Sequence, residues 1–137
     1  MGDLMRRAAV VLAAAGALAA GMAVAVLPLA SAAAASGWSI QHTPNPAGGS
    51  DSILNGVSCT SASACTAVGN YFNGTASVTL AERWNGTRWS IQHTPNPAGG
   101  SDSTLYGVSC ASATACTAVG GSFNGTTGVT LAERWNG

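Results

Sequence analysis

Lysine is absent from this 137-residue chain, and only 7% of its residues are charged. From residue 36 onward the charges nearly balance, at a net −1, from Arg83, Arg88 and Arg134 against Asp51, Glu82, Asp102 and Glu133. Proteins that bind nucleic acids depend on clustered cations that neutralise phosphates. A chain without lysine or a basic patch is therefore not expected to have a nucleic-acid partner.

Side chains that hold metals or cofactors are also scarce. The chain has two histidines, His42 and His93, and neither lies near the four cysteines in sequence. Those cysteines follow a C-x5-C spacing, which lies outside the usual x2 to x4 spacing of zinc sites. We predict no metal site and no cofactor.

Patterns typical of enzymes are missing as well. No G-x-S-x-G sequence marks a nucleophilic serine. Glycoside hydrolysis needs two adjacent carboxylates, and nothing in the spacing of Asp51 and Glu82 brings them together. The sequence predicts a protein without catalytic activity, and a hydrolase is the minor alternative.

The N-terminal part has the three regions of a secretory signal. Arg6 and Arg7 precede 23 uncharged residues, and these are followed by a run of small residues ending at Ala35. We expect residues 1–35 to form a signal helix that is cleaved, which makes the protein extracellular. An uncleaved leader would be a membrane anchor, since about 20 apolar residues span a bilayer.

The remaining chain, 36–137, is predicted to be one β-repeat domain with units 38–88 and 89–137. Trp38 to Gly86 and Trp89 to Gly137 agree at 41 of 49 positions, with a period of 51 residues. The eight differences are Ile53/Thr104, Asn55/Tyr106, Thr60/Ala111, Ser63/Thr114, Asn70/Gly121, Tyr71/Ser122, Ala76/Thr127 and Ser77/Gly128. A period of this size predicts stacked units, each too small to bury its own apolar face.

Cysteine usage agrees with export. Four cysteines in a short exported chain indicate two disulfides, and four allow three pairings. Because equivalent units should close equivalent bridges, we predict the bonds Cys59–Cys65 and Cys110–Cys116. A zinc site formed by all four is the alternative.

Alternating side chains and turn residues predict an all-β fold with four strands per unit. In the first unit these cover about 53–59, 64–72, 77–84 and 88–93. The pairs Asn73-Gly74 and Asn85-Gly86 are strong hairpin signals, because both residue types accept a positive φ. The proline-rich segment from Pro95 to Gly100 is predicted to link the units.

Alternation across the last hairpin predicts which side chains share a face of the sheet. Tryptophans there are most simply packing residues, and a ligand platform is the other interpretation. The candidate ligand-binding residues are Glu82, Trp84 and Trp89, with the copies Glu133 and Trp135.

The repeat units do not begin and end with the chain from residue 38 onward. The last unit lacks its fourth strand, and Trp38 to Gln41 is an additional copy of that strand. Propellers close their rings by such strand exchange, which removes exposed sheet edges. We expect a homo-oligomer of two to four chains, with Trp38 to Gln41 of one chain beside Val129 to Trp135 of another.

The motifs GVSC, C-x5-C-TAVG and ERWNGTRWS carry a resemblance. The chain resembles secreted actinobacterial proteins whose tandem units have the same paired cysteines and tryptophan hairpin. The resemblance implies kelch-like β-propeller units, so that each repeat would be one propeller blade. It implies no particular ligand.

Two functional hypotheses follow from the sequence. The first is a secreted, non-catalytic, propeller-like binding or interaction module whose partner is a carbohydrate or another cell-surface ligand. The second is a structural cell-surface element, or a shortened copy of a longer array without a function of its own. Near-identity of the two units favours the second, because recent duplicates have had little time to specialise.

Overall fold

A computed structural model describes residues 37–137, and this part of the chain is all-β, as predicted. The expected signal helix of residues 1–35 lies outside the described residues. No helix among residues 37–137 is long and apolar enough to cross a membrane. The seven strands are β1 (Ser50–Ser61), β2 (Ala64–Phe72), β3 (Ser77–Trp84), β4 (Trp89–Gln92), β5 (Asp102–Ser112), β6 (Ala115–Phe123) and β7 (Gly128–Trp135).

The strands form two antiparallel meanders, the first from β1 to β4 and the second from β5 to β7. A single parallel bridge between Ser77 and Asp102 joins them into one seven-stranded sheet. There the Ser77 amide donates a hydrogen bond to Oδ1 of Asp102 over 3.0 Å. Because this edge contact is so short, the faces of the two meanders must provide most of the contact between them.

The hairpin turns lie at the predicted Asn-Gly pairs, but the asparagine stabilises the turn through its side chain and not by adopting a positive φ. Each loop has four residues, 73–76 or 85–88, and only glycine adopts a positive φ, 95° at Gly74 and 94° at Gly86. Asn73 instead accepts hydrogen bonds through Oδ1 from the amides of Thr75 and Ala76, over 2.9 and 3.0 Å. The asparagine thus caps the turn with its side chain, which removes the need for a strained backbone.

Both predicted disulfides are present, Cys59–Cys65 and Cys110–Cys116. Each joins directly opposed residues of a hairpin, β1 to β2 or β5 to β6, with Cα atoms 3.9 and 4.0 Å apart. The four-cysteine zinc site is therefore wrong. Each bridge fixes the register of the first hairpin in its own meander.

A β-bulge interrupts the first hairpin of each meander at equivalent places. The pairing shifts by one residue after Leu54↔Gly69 and again after Leu105↔Gly120. At both glycines the backbone of the bulged strand approaches closely, and an added Cβ would overlap the carbonyl oxygen of Ile53 or of Thr104. Glycine is required here because any side chain would push the bulged strand away.

Each meander has two different faces, which we name by their most prominent residue. The arginine face of the first meander carries Thr66, Val68, Thr79, Ala81 and Arg83, and that of the second carries Thr117, Val119, Thr130, Ala132 and Arg134. The tryptophan face of the first carries Leu54, Val57, Ala67, Leu80, Glu82 and Trp84, and that of the second carries Leu105, Val108, Ala118, Leu131, Glu133 and Trp135.

The shared core lies between the first arginine face and the second tryptophan face. Val68 and Ala81 from the first meander pack with Leu105 and Ala118 from the second, and Leu105 is completely buried. Polar contacts cross the same interface, since the Asn55 amide donates to the Leu105 carbonyl over 2.9 Å. Neither meander buries this core alone.

Trp38 to Gln41, the predicted exchange strand, forms no strand within the chain. The side chains of Trp38 and Ile40 are fully exposed. The outer edge of β7 has no partner strand among the described residues. The exchange between chains stays a prediction.

The bulge glycines give a test of the sheet geometry. Gly69→Ala and Gly120→Ala should each destabilise the fold by at least the roughly 1–3 kcal/mol that overpacking costs, because the backbone must move. Gly128→Ser is the control, since nothing lies within 4 Å of an added Cβ there and the other unit has Ser77 at that position. Urea unfolding measures all three. A bulge variant as stable as the control would contradict the register.

Candidate functional site

The candidate residues of the first meander share one face, as their register shows. Trp84 and Trp89 are directly opposed across β3 and β4, with ring centroids 5.7 Å apart and planes inclined at 42°. Both indole N–H groups are engaged within the chain. Nε1 of Trp84 donates to the Ala62 carbonyl over 3.1 Å, and Nε1 of Trp89 donates to Oε1 of Gln41 over 2.9 Å. These bonds favour packing as the role of the pair.

Glu82 lies on the same face and is 1% exposed. Its Oε2 atom has no hydrogen-bond partner among the described residues. Burial raises the pKa of this carboxyl above its ordinary value, and the nearby His42 offsets part of the rise. A carboxyl buried in this position packs beside the tryptophans and is not an accessible ligand contact.

Glu133 and Trp135, the copies of Glu82 and Trp84, lie instead in a cleft between the two meanders. This cleft has a volume of about 70 Å³ and is also lined by Thr66, Arg83, His93 and Leu105. The cleft is partly open to solvent. The structure therefore separates the five candidates into a packed face on the first meander and a polar cleft between the meanders.

Arg83 connects the walls of the cleft. Its Nη2 atom donates to the Ala113 carbonyl over 2.8 Å, and its Cζ atom lies 5.2 Å from the centroid of the Trp135 ring. A guanidinium at this distance from an indole is attracted to the ring face. Alternation along β3 places Arg83 on the face opposite Trp84, and nothing in the sequence indicates that its side chain would reach a tryptophan of the next unit.

Equivalent tryptophans consequently have different hydrogen bonds. Ala62 and Ala113 are 51 residues apart, and Trp84 donates to the Ala62 carbonyl. The carbonyl of Ala113 accepts from Arg83 instead, and Nε1 of Trp135 has no hydrogen-bond partner within residues 37–137. The contact between the meanders thus frees an indole donor in the cleft.

Three buried polar atoms on side chains that line this cleft lack hydrogen-bond partners in the described part of the chain, 37–137: Oε1 of Glu133, Nε of Arg83 and Nε1 of Trp135. Burial raises the pKa of the Glu133 carboxyl, while the Thr79 hydroxyl and the charge of His93 act in the opposite direction. Buried polar groups are normally hydrogen-bonded. One acceptor and two donors on side chains that line the same cleft suit a ligand with hydroxyl groups.

A larger groove of about 440 Å³ lies on the first meander, and the sequence interpretation missed it. Tyr71, His93 and Asn96 are among the residues that line it. Its polar groups largely satisfy one another, since Thr79 donates through its amide to Oδ1 of Asn96 over 3.0 Å and through its hydroxyl to Thr94 over 2.8 Å. The unmatched residue Tyr71, replaced by Ser122 in the second unit, was the available signal.

Within residues 37–137 no group of three or more His, Cys, Asp or Glu side chains is arranged to hold a metal ion. No protein-family model, curated protein or solved structure matches this chain. The polar cleft between the meanders is therefore interpreted from its own geometry.

The two buried carboxyls predict how stability depends on pH. A carboxyl whose pKa is raised on folding binds protons more tightly in the folded state, so stability falls as the pH rises from 4.5 through the raised value. The double variant Glu82→Gln and Glu133→Gln should lose this fall and be more stable than the unchanged chain at neutral pH.

Urea unfolding between pH 4 and pH 7 measures this dependence. Asp51→Asn is the control, because it removes one negative charge at an exposed position. The interpretation is wrong if the double variant and the control have the same pH profile.

Proposed function

We propose that the protein is a secreted, non-catalytic binding module with propeller-blade-like meanders, and that the cleft between the meanders binds a hydroxyl-rich ligand such as a saccharide. The observation that carries this proposal is that three side chains lining the cleft, Glu133, Arg83 and Trp135, each have a buried polar atom without a partner among residues 37–137. Two intrachain disulfides are compatible with an extracellular location.

The architecture supports blade-like units. The first strands of the two meanders, β1 and β5, lie against each other, and the Cys110 amide donates a hydrogen bond to Oγ of Ser58 over 3.1 Å. The meanders stack face to face with apolar residues between them. Propellers pack successive four-stranded sheets in this way around an axis, and ligands bind between the blades or at the central opening.

The chemistry of the cleft favours a neutral polyol over an ion. Glu133 offers an acceptor, whereas Arg83 and Trp135 offer donors, so no single sign of charge dominates. Saccharide hydroxyls both donate and accept, and their C–H faces pack on indole rings. Because the space is only about 70 Å³, one edge of a sugar ring would enter and the rest would stay in the solvent-exposed mouth.

The test uses the chain recovered from culture medium, where its intact mass also reports removal of the leader near residue 36. Maltotriose, cellotriose and triacetylchitotriose are titrated while NMR follows the indole N–H signal of Trp135. At least one trisaccharide should shift this signal in a saturable way. Glutamine keeps an acceptor but not the charge, and a hydrogen bond to a charged group contributes about 1 kcal/mol more than a neutral one, so Glu133→Gln should weaken binding about fivefold.

Glu82→Gln is the matched control, since it makes the same change at the equivalent position outside the cleft. It should leave the affinity unchanged. The proposal fails if none of the three saccharides shifts the Trp135 signal, or if both variants weaken binding equally.

A further inference from the structure

The interface between the meanders is formed by one arginine face and one tryptophan face, and the other arginine face and the other tryptophan face lie outside it. The first arginine face is covered by the second tryptophan face. Among residues 37–137 the second arginine face has no such cover. On the first tryptophan face Ala67, Leu80 and Glu82 are buried, whereas Leu54 and Val57 on β1 are exposed. Since the repeat supplies the same residue types to both interfaces, the free faces are complementary to each other.

Residues of the free arginine face are far more exposed than their copies on the covered arginine face. Val68 is 1% exposed, whereas its copy Val119 is 53% exposed. Thr66, Thr79 and Ala81 are buried, and their copies Thr117, Thr130 and Ala132 are exposed. Arg134, the copy of Arg83, is exposed at the end of β7. Each contact residue of the first arginine face is thus repeated on an uncovered surface.

The tryptophan face of the first meander also has apolar residues whose copies on the second meander are less exposed. Leu105 is completely buried, and its copy Leu54 is 37% exposed; Val57, the copy of Val108, is 61% exposed. A groove of about 290 Å³ opens between Leu54, Val57, Ala67 and Trp89. Apolar side chains exposed together in this way indicate a contact surface.

The N-terminal segment is already arranged as it would be in a further interface. His42 lies near Glu82 as His93 lies near Glu133, and the two histidines are 51 residues apart. His93 belongs to the connection between the meanders, next to their shared cleft. The segment around His42, which also accepts a hydrogen bond from Trp89 through Gln41, thus lies beside the first tryptophan face as the segment around His93 lies beside the second.

We propose that copies of this chain associate head to tail, with the arginine face of the second meander of one copy on the tryptophan face of the first meander of the next. In this contact Arg134 lies over Trp84 of the next copy, as Arg83 lies over Trp135 within the chain. The contact is independent of ligand binding in the cleft. Trp38 and Ile40 of the next copy, both fully exposed in the single chain, would lie beside β7.

The eight sequence differences leave this contact almost unchanged. All five residues named for the arginine face and all six named for the tryptophan face are identical in the two units. The exceptions are Asn70 and Ser77, which lie on the first arginine face and are glycine in the second unit, and Asn55, whose hydrogen bond to Leu105 links the meanders and whose copy is Tyr106. A tyrosine hydroxyl is also a hydrogen-bond donor.

A head-to-tail contact either closes into a ring or continues as a filament. Two to four copies would supply the four to eight sheets that are typical of propeller rings. Sedimentation velocity of the secreted chain over a range of concentrations should show a discrete species heavier than one chain. A monomer at every concentration would overturn the proposal.

Surface variants test the two faces separately. Arg134→Glu and Val119→Glu alter the free arginine face, and Val57→Glu alters the free tryptophan face; all three positions are exposed, so the folded chain should keep its unfolding midpoint. Each variant should sediment as a monomer. Arg88→Glu is the control, because it makes the same charge change in an exposed hairpin loop and should still associate.

Mixing provides the decisive measurement. Arg134→Glu and Val57→Glu each retain one unaltered face, so an equimolar mixture should form a 1:1 heterodimer although neither variant associates alone. Two variants of the arginine face, Arg134→Glu and Val119→Glu, should stay monomeric when mixed. If the first mixture also stays monomeric, the two faces do not bind each other and the proposal is wrong.

Discussion

The packing of the first arginine face against the second tryptophan face is the contact on which the described structure depends. The edge connection between the meanders is one bridge, Ser77 to Asp102. The apolar core consists of a few small or medium side chains, and half of them come from each meander. Sheets of three or four strands with so little apolar surface need a second layer to exclude water. The disulfides fix each hairpin, but they do not replace this layer.

Duplication gives the two units nearly the same residues and yet different chemistry. Trp84 keeps a hydrogen bond to its own meander, whereas the indole of Trp135 loses the equivalent acceptor to Arg83. The difference arises from position along the chain and not from substitution. Only the second unit has a meander packed on its tryptophan face, so only there does the polar cleft form. Binding chemistry and assembly therefore have a common origin in one repeated interface.

Much of the local structure could be predicted from the sequence. The bounds of β2 and β3 agree with the predicted segments 64–72 and 77–84, and both disulfides were expected. These features depend on short-range patterns: alternation, turn residues and C-x5-C spacing. The fourth strand was also found, although β4 is shorter than the predicted segment 88–93 because Arg88 belongs to the hairpin loop.

The cleft could not be predicted, for a physical reason. The sequence indicates that each unit has two faces, but equivalent residues have identical local patterns, so nothing distinguishes a covered face from a free one. The contact between Arg83 and Trp135 depends on how two sheets stack. The bulge at Asn55 depends on a close backbone approach at Gly69. A glycine permits such an approach, but its presence in the sequence does not predict one. Both are long-range properties.

Native-state hydrogen exchange tests the central claim most directly. If the two meanders are stable only together, the amides of Val68 and Ala118, one from each side of the shared core, should exchange with the same free energy, equal to that of global unfolding. Exchange of Ala118 through a separate, lower-energy opening while Val68 stays protected would contradict the account, because the first meander would then be stable without the second.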